Sequence, residues 1–251
     1  MKISIITTFK DLNKTQFISN IKSVRNQNYK NLEHVINYAG NNQSDFEYIK
    51  TFINNKTKIF WNKDKNIYEG INNGIKLSSG IIIGILNLDD IFYNNFVITD
   101  ICSKFKDNVN IDGLYGNLMQ FHGPLAKKKI YKVYKVGQYS FTDFIYGSNI
   151  PHPTFFLKKT IFNKIGNYNT AFKIASDYEF IIRCFKHKLI IIYLDKYLVW
   201  MRVGGSSTKN FKNKIIIFKE DFKICKQHFR FPLLTIFLKK LKSLKFYIKY
   251  A

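Results

Sequence analysis

The sequence predicts an α/β fold: a mostly parallel sheet with flanking helices, followed by a helical C-terminal tail. Three observations predict it. Short apolar runs alternate with stretches of helical period through the first hundred positions, the order that builds a parallel sheet. That alternation loosens after residue 100, and residues 209–251 turn helical and lysine-rich. The most apolar run, at 81–88, ends on two adjacent carboxylates, Asp89 and Asp90, although the chain has only 17 acidic residues against 40 basic ones.

The elements follow in order. Residues 2–8 (KISIITT) read as a strand, and 12–27 as a helix with Phe17, Ile21 and Val24 on one side. Residues 32–38 (LEHVINY) are the next strand, followed by a helix over 44–54 and a short strand at 58–61. Ile67, Ile71 and Ile75, four apart, mark a helix over 67–79 that Gly80 closes, and 81–88 is the central strand. Beyond it, 111–121 is strand-like and 123–137 (GPLAKKKIYKVYKVG) is a basic segment expected to be mobile. A proline-bounded stretch, IPHPTFF, precedes a helix over 175–187, and short strands at 189–194 and 197–202 lead to the turn VGGSST.

Composition narrows the class. Hydrophobic residues at 46% and aromatics at 17% describe a globular chain. The net charge of +23 implies affinity for polyanions: nucleic acid, anionic lipid headgroups or phosphorylated substrates. Cys102, Cys184 and Cys225 are far apart and form no C-x-x-C pair, which suits a reducing compartment and neither a disulfide framework nor a zinc site. The opening residues show no signal-peptide pattern, and no apolar stretch approaches the roughly 20 residues of a spanning helix. The expectation is a protein that is soluble or lies on a membrane surface.

In an open parallel sheet, ligands bind outside the carboxyl ends of the strands, where Asp89 and Asp90 fall. Adjacent carboxylates there are hard oxygen ligands for Mg²⁺ or Mn²⁺, which relieve the repulsion between them. An isolated Asp-Asp pair equally suits the start of a loop that caps the next helix.

The stretch NKDKNIYEGINNGIKLSSGIIIGILNLDD resembles the family 2 glycosyltransferases, inverting nucleotide-sugar enzymes of GT-A fold, and in particular the subgroup containing colanic-acid and capsule glycosyltransferases. Asp64, Ile67, Tyr68, Asn72, Gly74, Gly80, Leu86, Asn87, Asp89 and Asp90 fall in register with that family's pattern. SVRNQNYKNLEHV, the HPTFF…IASDYEFIIR segment and RVGGSST resemble three further blocks in the family's order, so the likeness spans about residues 3–208. It implies a GT-A domain over 1–208, with residues 1–100 the nucleotide-sugar half and 101–208 the acceptor half, and a basic amphipathic tail at 209–251.

The resemblance also implies roles. Asn87-Leu88-Asp89-Asp90 is a degenerate DxD motif, in which Asp90 holds Mn²⁺ or Mg²⁺ and Asp89 turns toward the donor ribose or sugar. Thr8, Asp64, Tyr68 and Asn72 join the donor side. Tyr38 falls where the family commonly has the Asp that contacts the nucleotide base; it could stack on the base, with Asp64 carrying the polar contact. Asp177 is the base that takes the acceptor proton. Ser176 with Glu179 also spells a capping box, which would account for those two residues without chemistry. His152 and Arg202 are expected on the acceptor side or near the diphosphate.

The expected partners are a nucleotide-sugar, most readily UDP-linked, and a glycan or lipid-linked hydroxyl acceptor. In the tail, Leu234, Phe237, Leu238, Leu241, Leu244 and Ile248 share one helical face, with Lys239, Lys240, Lys242 and Lys249 outside it. That pattern suits docking on an anionic membrane at its cytoplasmic side, or packing of the same face on the domain. Two other readings compete: a glycosyltransferase-like scaffold without activity, and a basic nucleic-acid-binding protein. No helix-turn-helix, RNP or zinc pattern supports the latter.

Overall fold

The computed structural model describes residues 1–204 and 211–248, with side chains in the last segment described from Lys212 to Leu244. The expected turn at 205–208, the boundary at 208, Lys249 and the side chain of Ile248 therefore lie outside the described residues.

The first half follows the predicted alternation: β1 (Ile3–Phe9), α1 (Lys14–Arg25), β2 (Leu32–Tyr38), α2 (Gln43–Lys50), β3 (Thr57–Trp61), α3 (Ile67–Leu77) and β4 (Ile82–Ile85). β1 pairs in parallel with β2 and β4, and β2 in parallel with β3. Every residue of β1 and β2 is buried, which is why these runs lack the polar alternation of a one-sided sheet. Each of the three helices starts at an asparagine. Asn13, Asn42 and Asn66 accept backbone N–H groups of their first turns, a cap worth about 1 kcal/mol each.

The second half contains β5 (Ile91–Phe92), α4 (Val97–Asp107), β6 (Gly113–His122), β7 (Lys129–Tyr134), α5 (Phe141–Ile145), β8 (Phe156–Lys158), α6 (Thr160–Ile165), α7 (Ser176–Lys186), β9 (Ile191–Arg202), α8 (Phe211–His228) and α9 (Pro232–Ile248). The described strands form one sheet of order β3-β2-β1-β4-β8-β6-β9-β5, with β7 on β6. Beyond β4 the pairing is mixed: β8 runs antiparallel to β4 and β6, and β9 parallel to β6. Gly84 permits the β4–β8 contact, since a Cβ there would lie 2.2 Å from the Phe156 ring.

Two expectations change. The basic segment is not a mobile loop: Lys129–Tyr134 pair antiparallel with β6, satisfying backbone groups that its edge would leave open. The two strands expected at 189–194 and 197–202 are one strand. Asp195 and Lys196 interrupt its apolar pattern because they bulge, with Gly116 opposite Leu194 and Asn117 opposite Tyr197.

α8 and α9 share the principal core. Ile224, Cys225, Phe229 and Ile236 are buried in the same cluster as Tyr68, Phe180 and Ile181. α9 crosses so close to Gly147 that a Cβ there would meet the Lys239 backbone nitrogen at 2.2 Å. Its inner side carries buried Thr235 and Ile236, Lys239 paired with Asp221 at 2.9 Å, and Lys242 donating to Ser148 at 2.9 Å. Lys239 and Lys242, expected outside the apolar face and able to meet headgroups, are instead turned onto the domain, and Leu238 is half-buried. The outer side exposes Leu234, Phe237, Leu241 and Leu244. Among the described residues, no helix is long and apolar enough to cross a membrane.

Candidate active site

The parallel strands β3-β2-β1-β4 bring their carboxyl ends to one edge, and five polar positions meet there. Asn37, near the end of β2, donates to Asp64 Oδ2 at 2.6 Å and lies 3.5 Å from Thr8 Oγ1 near the end of β1. Asn73 donates to Asp64 Oδ1 at 2.6 Å, and Asn62 to Asn37 Oδ1 at 2.8 Å. Burial pushes the Asp64 carboxyl above its usual range, against these hydrogen bonds. α3 approaches this closely only because position 70 is glycine: a Cβ would stand 2.3 Å from Thr8 Oγ1. Thr8 and Asp64 thus come together as expected. Asn37, Asn62 and Asn73 were missed, because in an asparagine-rich chain no spacing distinguishes them.

Beside this cluster lies a cleft of about 720 Å³, lined by Lys10, Asp11, Leu12, Gly40, Asn41 and Asp45, among others. Tyr38 also lines it. Its ring is 1% exposed, packed against Phe9, Phe46 and Trp61, so it has no free face to stack on a nucleotide base. The aromatic cluster that buries it is a tertiary feature, invisible in the strand pattern.

Asp89 and Asp90 follow β4 at the same edge and differ sharply. Asp90 is fully buried: Asn87 donates to Oδ2 at 2.9 Å and the Arg202 backbone N–H to Oδ1 at 3.2 Å. Burial, and next the charge of Asp89, push its carboxyl well above the usual range. Asp89 is half-buried and therefore the more accessible of the two. Asn20 on α1 ties the turn down, donating to the carbonyls of Asn87 and Asp90 at 2.8 and 3.0 Å. Among the described residues no cluster of three or more His, Cys, Asp or Glu could hold a metal. Two adjacent carboxylates at a strand end nonetheless fit a divalent cation that takes its other ligands from a phosphorylated substrate. Each engaged oxygen of Asp90 keeps a second lone pair.

The guanidinium of Arg202 donates to the Gly123 carbonyl at 2.7 Å and lies over the Phe121 ring, 4.7 Å from its centroid. Its Nε is buried with no partner among the described residues.

α3 then joins this edge to the segment before α7. Asn66 donates to the Thr170 carbonyl at 2.8 Å. Asn72 spends both amide atoms on the Tyr168 backbone, at 2.9 and 3.0 Å. The hydroxyl of Tyr68 donates to the Ile174 carbonyl and lies 3.2 Å from Asp177 Oδ1, so one proton is shared between two acceptors. Tyr68 and Asn72, expected on the donor, are therefore committed to bracing residues 168–177. His152 is buried against the same segment, its Nε2 2.8 Å from the Tyr168 hydroxyl, and burial lowers its pKa although Asp177 acts to raise it. It stands behind the site, not at its surface.

The capping box expected from Ser176 and Glu179 does not form. The N-cap of α7 is Ala175, the Ser176 hydroxyl has no partner among the described residues, and Glu179 pairs instead with Arg183 at 2.9 Å and His228 at 3.8 Å. Tertiary partners outbid a local cap. Arg183 also reaches the Ile165 and Asn167 carbonyls, so the arginine of the D-Y-x-x-x-x-R stretch is structural.

No protein-family model matches the chain. Its sequence is similar to a PGL/p-HBAD biosynthesis glycosyltransferase of Mycobacterium tuberculosis, with 23% identity over 128 residues, 51% of this chain and 47% of the relative. It is similar also to an uncharacterized glycosyltransferase of Mycobacterium tuberculosis, with 27% identity over 193 residues, 72% of this chain and 68% of the relative. In fold it is similar to the crystal structure of Staphylococcus aureus TarS 1-349 in complex with UDP-GlcNAc, with a TM-score of 0.69, 15% identity, and coverage of 90% of this chain and 66% of that one. The complex of the same protein with UDP gives a TM-score of 0.65 at 16% identity, over 88% of this chain and 66% of that one. The chain thus spans about half the length of the first of these relatives. The likeness to TarS is one of fold, and the sequence relatives are glycosyltransferases.

Proposed function

We propose that the chain is an inverting glycosyltransferase of family 2 and GT-A type, moving a sugar from a UDP-sugar to a hydroxyl of a glycan or lipid-linked acceptor in surface polysaccharide synthesis. One observation carries the reading: the Thr8–Asn37–Asp64 cluster, the neighbouring cleft and the Asp89–Asp90 turn share the carboxyl edge of four parallel strands, and α3 ties that edge to Asp177. The relatives and the nucleotide-sugar complex of TarS support it.

In this reading the cleft takes the nucleotide, with Asp45 and the Asn41 region at the base in place of the Tyr38 ring. Asp89, the accessible carboxylate, and Asp90 behind it would hold Mn²⁺ or Mg²⁺. When bound, that ion offsets negative charge developing on the leaving diphosphate. Asp177 takes the proton of the acceptor hydroxyl while the oxygen attacks the anomeric carbon. The bond to the diphosphate breaks from the opposite face, and its electron pair leaves with the nucleotide. Arg202, whose Nε has no partner among the described residues, is positioned by Phe121 and Gly123 to meet anionic substrate oxygens.

The outer face of α8 and α9 favours work at the cytoplasmic surface of an anionic membrane. Ile215, Phe218, Leu234, Phe237, Leu241 and Leu244 are exposed together with Lys212, Lys214, Lys219 and Lys240. Assaying UDP release from a panel of nucleotide-sugars, with Mn²⁺ and with excess EDTA, tests the function. Donor-selective, metal-dependent turnover is expected. Donor binding without turnover would leave the inactive scaffold, and binding of nucleic acid alone would replace the reading altogether.

A further inference from the structure

Glu220 and Asp221 are the only acidic residues in 209–251, and neither serves the solvent-facing side of α8. Asp221 is buried and paired with Lys239, whose ammonium also sits 3.4 Å from the centroid of the Tyr178 ring. Glu220 reaches further. Its carboxylate accepts three successive backbone N–H groups: Lys173 at 2.7 Å on Oε1, and Ile174 and Ala175 at 2.9 Å each on Oε2.

Those amides lead directly into α7. In a capping box the N-cap N–H goes to a carboxylate three residues on, but the N-cap here is Ala175, the residue three on is Tyr178, and the Ser176 hydroxyl has no partner among the described residues. The carboxylate that normally belongs to a helix start therefore comes from another helix, in bonds stronger than neutral ones because the acceptor is charged. The peptide of Ile174 is held from both sides, its N–H by Glu220 and its carbonyl by Tyr68. Asp177 stands two residues beyond Ala175 and meets the same Tyr68 hydroxyl.

We propose that Glu220 is a positioning residue for sugar transfer: through it, α8 sets the backbone of 173–175 and hence the direction from which Asp177 meets the acceptor hydroxyl. The proposal rests on Asp177 being the base. It makes the C-terminal helix pair part of the active site, so that seating of α8 and placement of the base are one event.

The test uses the full chain with Glu220→Ala, Glu220→Asp and Asp177→Asn. It measures kcat and KM for transfer, UDP affinity by titration, folded fraction, and amide hydrogen exchange. Glu220→Ala should lower kcat by about 10²-fold, the cost of misplacing a reacting group by about 1 Å. UDP affinity should be unchanged, and exchange should quicken at residues 173–177 but not in β1 or β2. Glu220→Asp keeps the charge and should recover part of the rate. Unchanged kcat per folded molecule in Glu220→Ala, or exchange that quickens throughout the chain, would overturn the proposal. If Asp177→Asn abolishes transfer while Glu220→Ala retains it, the positioning role alone fails. If Asp177→Asn transfers normally, the base assignment fails and takes the positioning role with it.

Discussion

The hydroxyl of Tyr68, in the first turn of α3, lies 3.2 Å from Oδ1 of Asp177, in the first turn of α7. A helix from the first half of the chain thereby touches an acidic side chain of the second half. Tyr68→Phe keeps the buried ring and removes only this hydroxyl. Losing a hydrogen bond to a charged group costs about 1.5–3 kcal/mol, so kcat should fall about 10- to 100-fold at unchanged donor KM. A rise in donor KM with kcat preserved would return Tyr68 to the donor contact that its sequence position suggested.

Asp177→Asn should lower kcat by roughly 10²–10⁴, the worth of a positioned general base. Thermal stability should change little, because an asparagine keeps a side-chain oxygen to accept from the Tyr178 N–H and the Tyr68 hydroxyl. Equal losses of stability and activity would show that the residue only holds the helix.

Asp89 and Asp90 should separate under substitution. Asp89→Ala should abolish metal-dependent turnover with the midpoint of unfolding nearly unchanged. Asp90→Ala should also destabilise, by about 1–3 kcal/mol, since it strands the Asn87 amide and the Arg202 N–H in the interior. Denaturant titration beside an activity assay distinguishes the two. Asp90→Ala as stable as the parent would place that carboxylate nearer solvent than the structure does.

Stability should fall in acid, beginning near pH 6.5. His34 is buried and held neutral, its pKa pushed down to about 3 by burial and then by Arg25, so only the unfolded chain takes up its proton below pH 6.5. Its contribution is complete above that pH and is lost as pH falls toward 3, at about 1.4 kcal/mol per pH unit. Burial acts to raise Glu33, but hydrogen bonds from Lys58, Ser4 and Ser79 outweigh it and bring the carboxyl down to about 2. Glu33 therefore stabilises fully above about 4.5 and adds a second loss below it. Urea unfolding at pH 7, 6 and 5 reads the first slope, and His34→Gln should flatten it.

Phe237→Glu with Leu241→Glu should abolish cosedimentation with anionic liposomes while leaving the melting temperature within about 2 °C, because both side chains are exposed. Lys239→Ala should instead destabilise, since it breaks the buried pair with Asp221. Sedimentation of the double variant equal to that of the parent would remove α9 from membrane docking.

The sequence by itself determined the parallel half of this protein. Hydrophobic period is a local property, so β1 to β4, α1 to α3 and the position of Asp89 and Asp90 at a strand end could be read from 81–90 and its predecessors. The resemblance in 62–90 and 152–183 pointed to the glycosyltransferase reading for the same reason: its motifs are short and contiguous. Partners far apart in the chain were decided by tertiary structure alone. Asp90 and Asp89 are adjacent and chemically identical, yet packing buries one and leaves the other accessible. Tyr38 reads as an open strand end until Phe46 and Trp61 close over it. Ser176 and Glu179 spell a cap, but Arg183, His228 and a carboxylate from position 220 offer better bonds than the local pairing. A hydrogen bond is chosen by what lies within about 3 Å in space, and no spacing along the chain encodes the distance from Glu220 to Ala175.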